Sequence, residues 1–431
     1  IMTTTKQNYT VPIIMMILLF GMIAFVTNLA APMGVVLKDQ FGVSNFQGLL
    51  GNAANFIAYA VMGIPGGILL QRIGYKKTAL LAIAVGFVGV GIQYLSGYAS
   101  ETTAFTVYLL GAFVAGFSMT LLNTVVNPML NTLGGGGNKG NQLIQVGGSF
   151  NSVMATFTPA FVGILIGEAA SAKITDVFPV MYIAMGIFAT IFVVMSMVKI
   201  PEPGIEHASE PMRNLMSGVL KYSHFVMGAV AIFVYVGVEV GVAGVLNLWL
   251  SDIPEVGKTI AGSVAGTYWA LMLVGRLTGA ALGSKISSKA MLTFASLLGL
   301  VLVLAAILLP TTMQVGLPVL QRSAVGALSF GLANVPINAM LLVLVGLSTS
   351  IMWGSIFNLA VEGLGKYLAA ASGIFMTMVV GGGLLPLVQG MVADMTSYLT
   401  SYWVIVIALG YLLFYAVIGS NVKKRADGVT I

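Results

Sequence analysis

Residues 199–218 read KIPEPGIEHASEPMRNLMSG, with three prolines, three glutamates and one of the two histidines of the chain. A stretch this polar and this rich in proline, which supplies no backbone donor, suits a solvated linker. On either side of it the sequence is a series of apolar runs. Before it they lie near 11–37, 44–70, 77–97, 104–133, 142–167 and 177–199, and after it near 220–250, 259–284, 290–309, 337–362, 368–393 and 398–420. A helix needs about 20 apolar residues to cross the hydrocarbon layer. The runs therefore predict an all-α polytopic membrane protein with twelve transmembrane helices. It divides into an N-terminal six-helix bundle over 1–200, a cytoplasmic linker over 201–219 and a C-terminal six-helix bundle over 220–431.

Composition agrees. Hydrophobic residues make up 58% of the chain and charged residues 7%, against about a quarter charged in an ordinary soluble domain. The formal charge of +6 comes from short stretches such as QRIGYKK and NVKKR. These are separated by apolar spans and read as loop charges, so no nucleic-acid partner is expected. There is no cysteine, which removes disulfides, thiol chemistry and Cys-based metal sites. No GxxxxGK[ST], HExxH or histidine cluster is present, so neither direct ATP use, a bound metal nor enzymatic activity is expected. The GGGG run at 134–137 reads as a flexible connection at a helix end. No cleavable signal peptide is expected before the first run.

Lys and Arg in short loops are retained on the cytoplasmic side. With both termini inside, the inner segments hold Lys6, Arg72, Lys76, Lys77, Lys139, Lys199, Arg213, Lys221, Lys285, Lys289, Lys366, Lys423, Lys424 and Arg425, and the outer ones hold Lys38, Lys173, Lys258 and Arg322. Fourteen against four fixes the expected orientation. The segment 310–336, PTTMQVGLPVLQRSAVGALSFGLANVP, is too apolar for a free loop and is expected to hold a short amphipathic helix on the surface.

The halves repeat. GIPGGILLQRIGYKK (63–77) beside GRLTGAALGSKISSK (275–289) matches Gly63 with Gly275, Gly67 with Gly279 and Lys77 with Lys289. The fifth and eleventh runs share a proline followed by glycine four residues later, Pro159 and Gly163, then Pro386 and Gly390. Small residues recur wherever membrane helices approach closely, so no single pair is decisive. The combination with twelve runs and a central linker indicates parallel repeats about an axis along the membrane normal. Such repeats place a cargo site at mid-membrane between the halves.

Of thirteen carboxylates, Glu239 alone lies well inside an apolar run, FVYVGVEVGVAGVL. A charge at bilayer depth costs at least about 2.5–3.5 kcal/mol and marks a functional candidate. Glu239 is accordingly a candidate for accepting from cargo or exchanging protons, with a structural hydrogen bond or an ion pair to Arg276 as the alternative. Arg276 lies about nine residues, or ~14 Å, from the inner end of its run. It can snorkel, pair with Glu239 or hold an anionic cargo, and a structural or gating role is favoured, with Arg72 and Lys77 beside the basic turn in the same class. Asn28, Asn52, Asn55, Asn123, Thr124, Asn127, Gln145, Asn151, Asn247 and Asn358 populate the runs, and Trp249, Tyr268, Trp269 and Trp353 add aromatic faces. Amides both donate and accept, as hydroxyl-bearing solutes require. Any single Asn is explained by interhelix bonding, worth about 0.6 kcal/mol on average; their density points to a polar cavity for a small polar solute.

Several stretches resemble the fucose and glucose/galactose permease branch of the major facilitator superfamily. SIMWGSIFNLAVEGLG and SGIFMTMVVGGGLLPLVQGMVAD, within 350–394, look like its tenth and eleventh helices. LNTVVNPML (122–130) looks like its fourth-helix motif, YVGVEVGV (235–242) like its seventh helix and VGRLTG (274–279) like its eighth. The resemblance implies a secondary transporter that imports a monosaccharide, a hexose or deoxyhexose, across a bacterial inner membrane as a monomer surrounded by lipid. It implies substrate contacts at Asn28, Asn123, Asn127, Gln145, Glu239 and Trp353, with Gln145 resting on the short match LIQ. Two departures stand out. Where the branch has a first-helix acid four residues before a proline, NLAAP (28–32) has Asn28, and where its fucose members open the fourth-helix motif with an acid, Asn123 stands. Neither amide titrates. By repeat spacing Glu239 is the counterpart of Asn28 (offset 211), which makes it the candidate coupling residue. No cofactor is expected beyond H⁺ or Na⁺ as a coupling ion. Facilitative sugar transport, or an organic-anion or drug carrier using Arg276, are the alternatives.

Overall fold

The computed structural model describes the backbone of residues 9–41, 45–166, 173–202, 211–322 and 328–422, with side chains described except at 28–41, 45–53, 55, 101–102, 156, 159–166, 257–259, 320–322 and 328–329. Helix α1 is Thr10–Phe41. Helix α2, Asn45–Leu95, contains two spans broken at Gly74, whose φ of 84° and ψ of 173° reverse the chain. That left-handed φ requires glycine. The turn is held by the Glu202 carboxylate, which accepts from the backbone N–H groups of Tyr75 and Lys76 at 2.5 and 3.0 Å.

Helix α3, Glu101–Leu133, is joined to α4, Gly137–Ile166, through the glycine run. Gly135, Gly136 and Gly137 have φ of 78°, 69° and 53°, three successive left-handed residues that make a tight reversal with a defined shape. Helix α5, Phe178–Met197, completes the first half. The later part of the linker carries α6, Met212–Val219, with Leu215 and Val219 buried. Gly218 packs against the ring of Tyr367, so this stretch is docked on the second bundle; residues 203–210 of the expected linker lie outside the described residues.

The second half comprises α7, Ser223–Ser251, α8, Gly257–Leu282, and α9, Ser288–Leu308. After a two-stranded element come α10, Ile337–Thr349, and α11, Met352–Val361, two pieces of one span. The next span is likewise built of α12, Leu368–Thr377, and α13, Gly381–Met395. Helix α14, Tyr398–Phe414, is the last crossing.

The segment 310–336 corrects the sequence reading: it forms strands β1, Gln314–Arg322, and β2, Leu328–Pro336, in place of an amphipathic helix. They pair antiparallel from Gln314↔Pro336 to Arg322↔Leu328. Leu317, Val319, Ala333 and Val335 are buried against the bundle, while Pro318, Phe330 and Leu332 between them are exposed. That period of two is a strand's. It is hard to read from the sequence because the outward face mixes Pro318, Phe330 and Leu332 with Gln314 and Asn334, which blurs the alternation.

Among the described residues ten stretches are long and apolar enough to span a membrane, one of which, Phe56–Tyr98 at 43 residues, contains the two spans of α2. The remaining crossing is α4, whose first half carries Asn141, Gln142, Gln145, Ser149 and Asn151 and whose apolar end, 159–166, has its side chains outside the described residues. The count of twelve crossings stands. The halves meet through α2 against α12, and α4 against α8 and α11, and on the linker side of α2 the approach reaches backbone contact. There a Cβ on Gly67 would lie 2.8 Å from the Ala369 carbonyl oxygen and 3.0 Å from the Gly373 Cα.

Because those neighbours are backbone, Gly67→Val must push α2 and α12 apart. The expected destabilisation is about 1–3 kcal/mol, read as a lowered thermal midpoint of the purified protein, whereas Gly186→Ala, whose added Cβ meets nothing within 4 Å, should leave the midpoint unchanged.

Candidate functional site

Asn123, Asn127 and Asn131 are spaced i, i+4, i+8 on α3, so they stand on one helical face. Asn123 donates to the Tyr59 hydroxyl at 2.6 Å and to the Met119 carbonyl at 3.2 Å. Asn127 donates to the Asn123 backbone and side-chain oxygens at 2.9 and 3.2 Å. Its own oxygen accepts from the Trp353 indole N–H at 2.9 Å, which crosses from one half to the other. One step further along α3, Asn131 donates to Asn358 Oδ1 at 2.6 Å, and Asn358 donates to Ser288 Oγ at 2.8 Å. The row of amides on the first half is thereby stitched to α11 and the start of α9.

Helix α4 makes a second seam. Gln145 donates to the Ile351 carbonyl at 2.9 Å, at the break between α10 and α11. Gln142 donates to the Ala280 carbonyl at 3.0 Å, and Asn151 donates to the Phe20 carbonyl of α1 at 2.8 Å. Gly354 and Gly279 make room for Gln145: a Cβ at Gly354 would lie 2.9 Å from its Nε2, and one at Gly279 3.4 Å from its Cδ.

At the upper end of this seam sits the one ion pair found among the described residues. Arg276 Nη2 donates to Glu239 Oε1 at 3.1 Å, with the two side chains 14% and 13% exposed. Arg276 Nη1 donates to Ser152 Oγ at 2.6 Å and, at 3.4 Å, to the Gly148 carbonyl. The guanidinium, which offers donors in a planar fork, thus grips a carboxylate of its own half with one arm and α4 of the opposite half with the other. Of the alternatives the sequence left open for Glu239, the ion pair is the one the structure adopts. The Tyr235 hydroxyl, one turn before Glu239, is buried beside the pair. Tyr235 and Phe375 flank Trp353 edge to face, with ring centroids 6.3 and 6.2 Å away.

Asn123, Asn127, Gln145, Glu239, Trp353 and Arg276 are therefore gathered along the boundary between the bundles. Asn28 lies on α1 with its side chain outside the described residues, as do those of Asn52 and Asn55. Arg72 and Lys77 are exposed near the Gly74 turn, and it is Lys76 that reaches across to the Ser196 carbonyl at 2.7 Å. The sequence reading missed Asn131, which continuing the i+4 period from Asn123 and Asn127 would have found. It also missed Tyr59, Ser152 and Tyr235, single residues with no spacing signal.

Two bundles of transmembrane helices meeting at a polar seam define a secondary-transporter architecture. The family model described as Major Facilitator Superfamily matches residues 13–385, and the chain belongs to that family. It is 29% identical over 97% of its length, and 96% of the relative's, to a glucose/galactose transporter of Brucella abortus biovar 1 (strain 9-941). It is 22% identical to the L-fucose-proton symporter of Escherichia coli (strain K12), covering 90% of this chain and 88% of that one. Among solved structures, the transporter FucP in the outward conformation superposes with a TM-score of 0.78 at 20% identity, over 95% of this chain and 99% of that one.

Removing one partner of a buried ion pair leaves the other uncompensated, at a cost of about 3–5 kcal/mol. Arg276→Gln should lower the thermal midpoint sharply, and the double variant Glu239→Gln/Arg276→Gln should recover part of the loss. A double variant no more stable than Arg276→Gln alone would show that the midpoint depends on the Arg276 contacts to α4 and not on the charge pair.

Proposed function

We propose that this chain imports a monosaccharide, a hexose or a deoxyhexose, across a bacterial inner membrane by rocking its two bundles around the central seam. The observation that carries this reading is the joining of Asn123, Asn127 and Trp353 across the bundle boundary: amides that exchange hydrogen bonds with hydroxyls beside an indole face that can cover a sugar ring. Relatives named for glucose, galactose and L-fucose support it.

The amides are engaged with one another here, Asn127 fully buried and Asn123 nearly so. Cargo must therefore exchange its hydroxyls for those bonds or meet amides released as the halves shift. Such an exchange keeps every polar atom partnered, which in the hydrocarbon layer is the condition for moving at all. Coupling falls to Glu239. Asn123 cannot titrate and its N–H groups are committed to Tyr59 and the Met119 carbonyl, whereas Glu239 is ionisable and held by a residue that also grips the opposite bundle. The same pairing argues against an anion carrier, because the charge of Arg276 is already matched by Glu239.

The test combines binding and flux. A thermal-shift series of monosaccharides, with and without Na⁺ and over pH, should find at least one hexose that stabilises the purified protein, by about 2.7 kcal/mol at a hundred times its Kd. In proteoliposomes that sugar should show counterflow, and Glu239→Gln should keep counterflow while losing sugar-driven proton uptake. Proton uptake unchanged in Glu239→Gln removes that residue from coupling, and a Na⁺ requirement would assign the work to a different ion. Absence of counterflow for every hexose and deoxyhexose overturns the sugar reading itself.

A further inference from the structure

The inward face of the β1–β2 hairpin is apolar and packed on the bundle, and the outward face is polar at its base, Gln314 and Asn334, and apolar beyond it. Leu317, Val319, Ala333 and Val335 point inward, and β1 packs on α8 and α10. On the other face Phe330 is 85% exposed and Leu332 74% exposed, with Pro318 opposite Leu332 in the register. Strands alternate, so this outward row is not an accident of one side chain; it is the second face of the same sheet. A short strand pair that leaves a phenylalanine and a leucine almost wholly uncovered calls for something to cover them.

The position of the hairpin indicates what. Its base follows α9, and the Ile337 N–H closes it by donating to the Met313 carbonyl at 2.8 Å. Asn338 ties the same junction to the end of α9 by donating to the Ala306 and Leu309 carbonyls at 2.7 and 2.8 Å. Phe294, Leu297, Val301 and Leu308 are exposed along α9 at spacings of three, four and seven, which is one helical face and, in a membrane span, the face turned to lipid. That stripe runs to the end of the helix at Leu308 and continues through exposed Met313 into the hairpin. The hairpin thus begins where the lipid-facing surface of the second bundle ends, on the side opposite the linker.

The backbone sets the depth. The sheet has two strands only, so each keeps one edge of N–H and C=O groups without a strand partner. Such edges are not tolerated in the hydrocarbon core but are hydrated in the headgroup region, where aromatic side chains also concentrate. We propose that the exposed face of the hairpin, Pro318, Phe330 and Leu332, rests on the lipid bilayer at the headgroup boundary of the leaflet opposite the linker, as an interfacial element of the second bundle. The partner is a lipid surface. Since β1 packs on α8, which also carries Arg276, the membrane surface is thereby in mechanical contact with a helix of the bundle boundary.

The absence of cysteine makes the test direct. A single cysteine introduced by Phe330→Cys in the full chain, labelled with an environment-sensitive fluorophore and reconstituted into phosphatidylcholine/phosphatidylglycerol vesicles, is compared with Glu255→Cys in the α7–α8 connection at the same end. A spin-labelled lipid carrying its nitroxide near the headgroup should quench the Phe330 label at least about threefold more than the Glu255 label, and aqueous iodide about threefold less, as expected for an interfacial site. If Phe330→Cys does not give folded protein, Leu332→Cys carries the same comparison. Iodide quenching equal to that at Glu255 would put this face in water and overturn the proposal. So would shielding that vanishes when the protein is diluted tenfold into lipid, because the cover would then be a second copy of the chain.

Discussion

Inside a bilayer a polar atom has no water to return to, and each one left alone costs several kcal/mol. That constraint organises the boundary between the two halves. The Glu239–Arg276 pair is its sharpest expression, because a lone charge at that depth is expensive and a matched one much less so. Arg276 also donates to Ser152 and to the Gly148 carbonyl, so the device that neutralises a charge within the second half also fastens it to the first. Among the described residues the rule has several exceptions, the buried amide of Gln389 and the hydroxyl of Tyr415 among them.

The two halves solve their polar problem differently. The first presents a row of amides, Asn123, Asn127 and Asn131, which satisfy each other and the partner bundle through short neutral bonds. The second presents a charge pair, an indole and backbone carbonyls freed at breaks in its helices, such as that of Ile351. Interhelix hydrogen bonds in membranes average about 0.6 kcal/mol each, so the neutral bonds can be exchanged one at a time as the bundles rock. Such modest bonds, many and replaceable, suit a moving boundary better than a few strong ones. Glycine supplies the rest, since Gly67 and Gly373 let α2 and α12 approach to backbone contact.

Membership of the Major Facilitator Superfamily and the proposed cargo rest on different grounds. The family follows from the match over residues 13–385, and the fold agrees with FucP over almost the whole chain. The cargo reading depends on side chains at the seam, above all Asn123, bonded to Tyr59 and Asn127, and Asn127, bonded to Trp353.

Much was legible in the sequence because the membrane imposes a simple length rule. Twelve apolar runs and a proline-rich break sufficed for the architecture, and the isolation of Glu239 within an apolar run marked the charged site, whereas the glycine run, expected as a flexible connection, is a tight reversal of defined shape. The hairpin at 314–336 was not legible, since its outward face carries Pro318, Phe330 and Leu332 beside Gln314 and Asn334 and the alternation that identifies a strand was lost. Nor was the docking of α6, where Leu215 and Val219 are buried by a partner far along the chain. The sequence by itself determined how many times the chain crosses the membrane and which polar residues travel with it, because crossing depends on local hydrophobicity. Which of those residues meet, Glu239 with Arg276 and Asn127 with Trp353, only the tertiary structure decided, because helix rotation and packing join residues 37 and 226 positions apart.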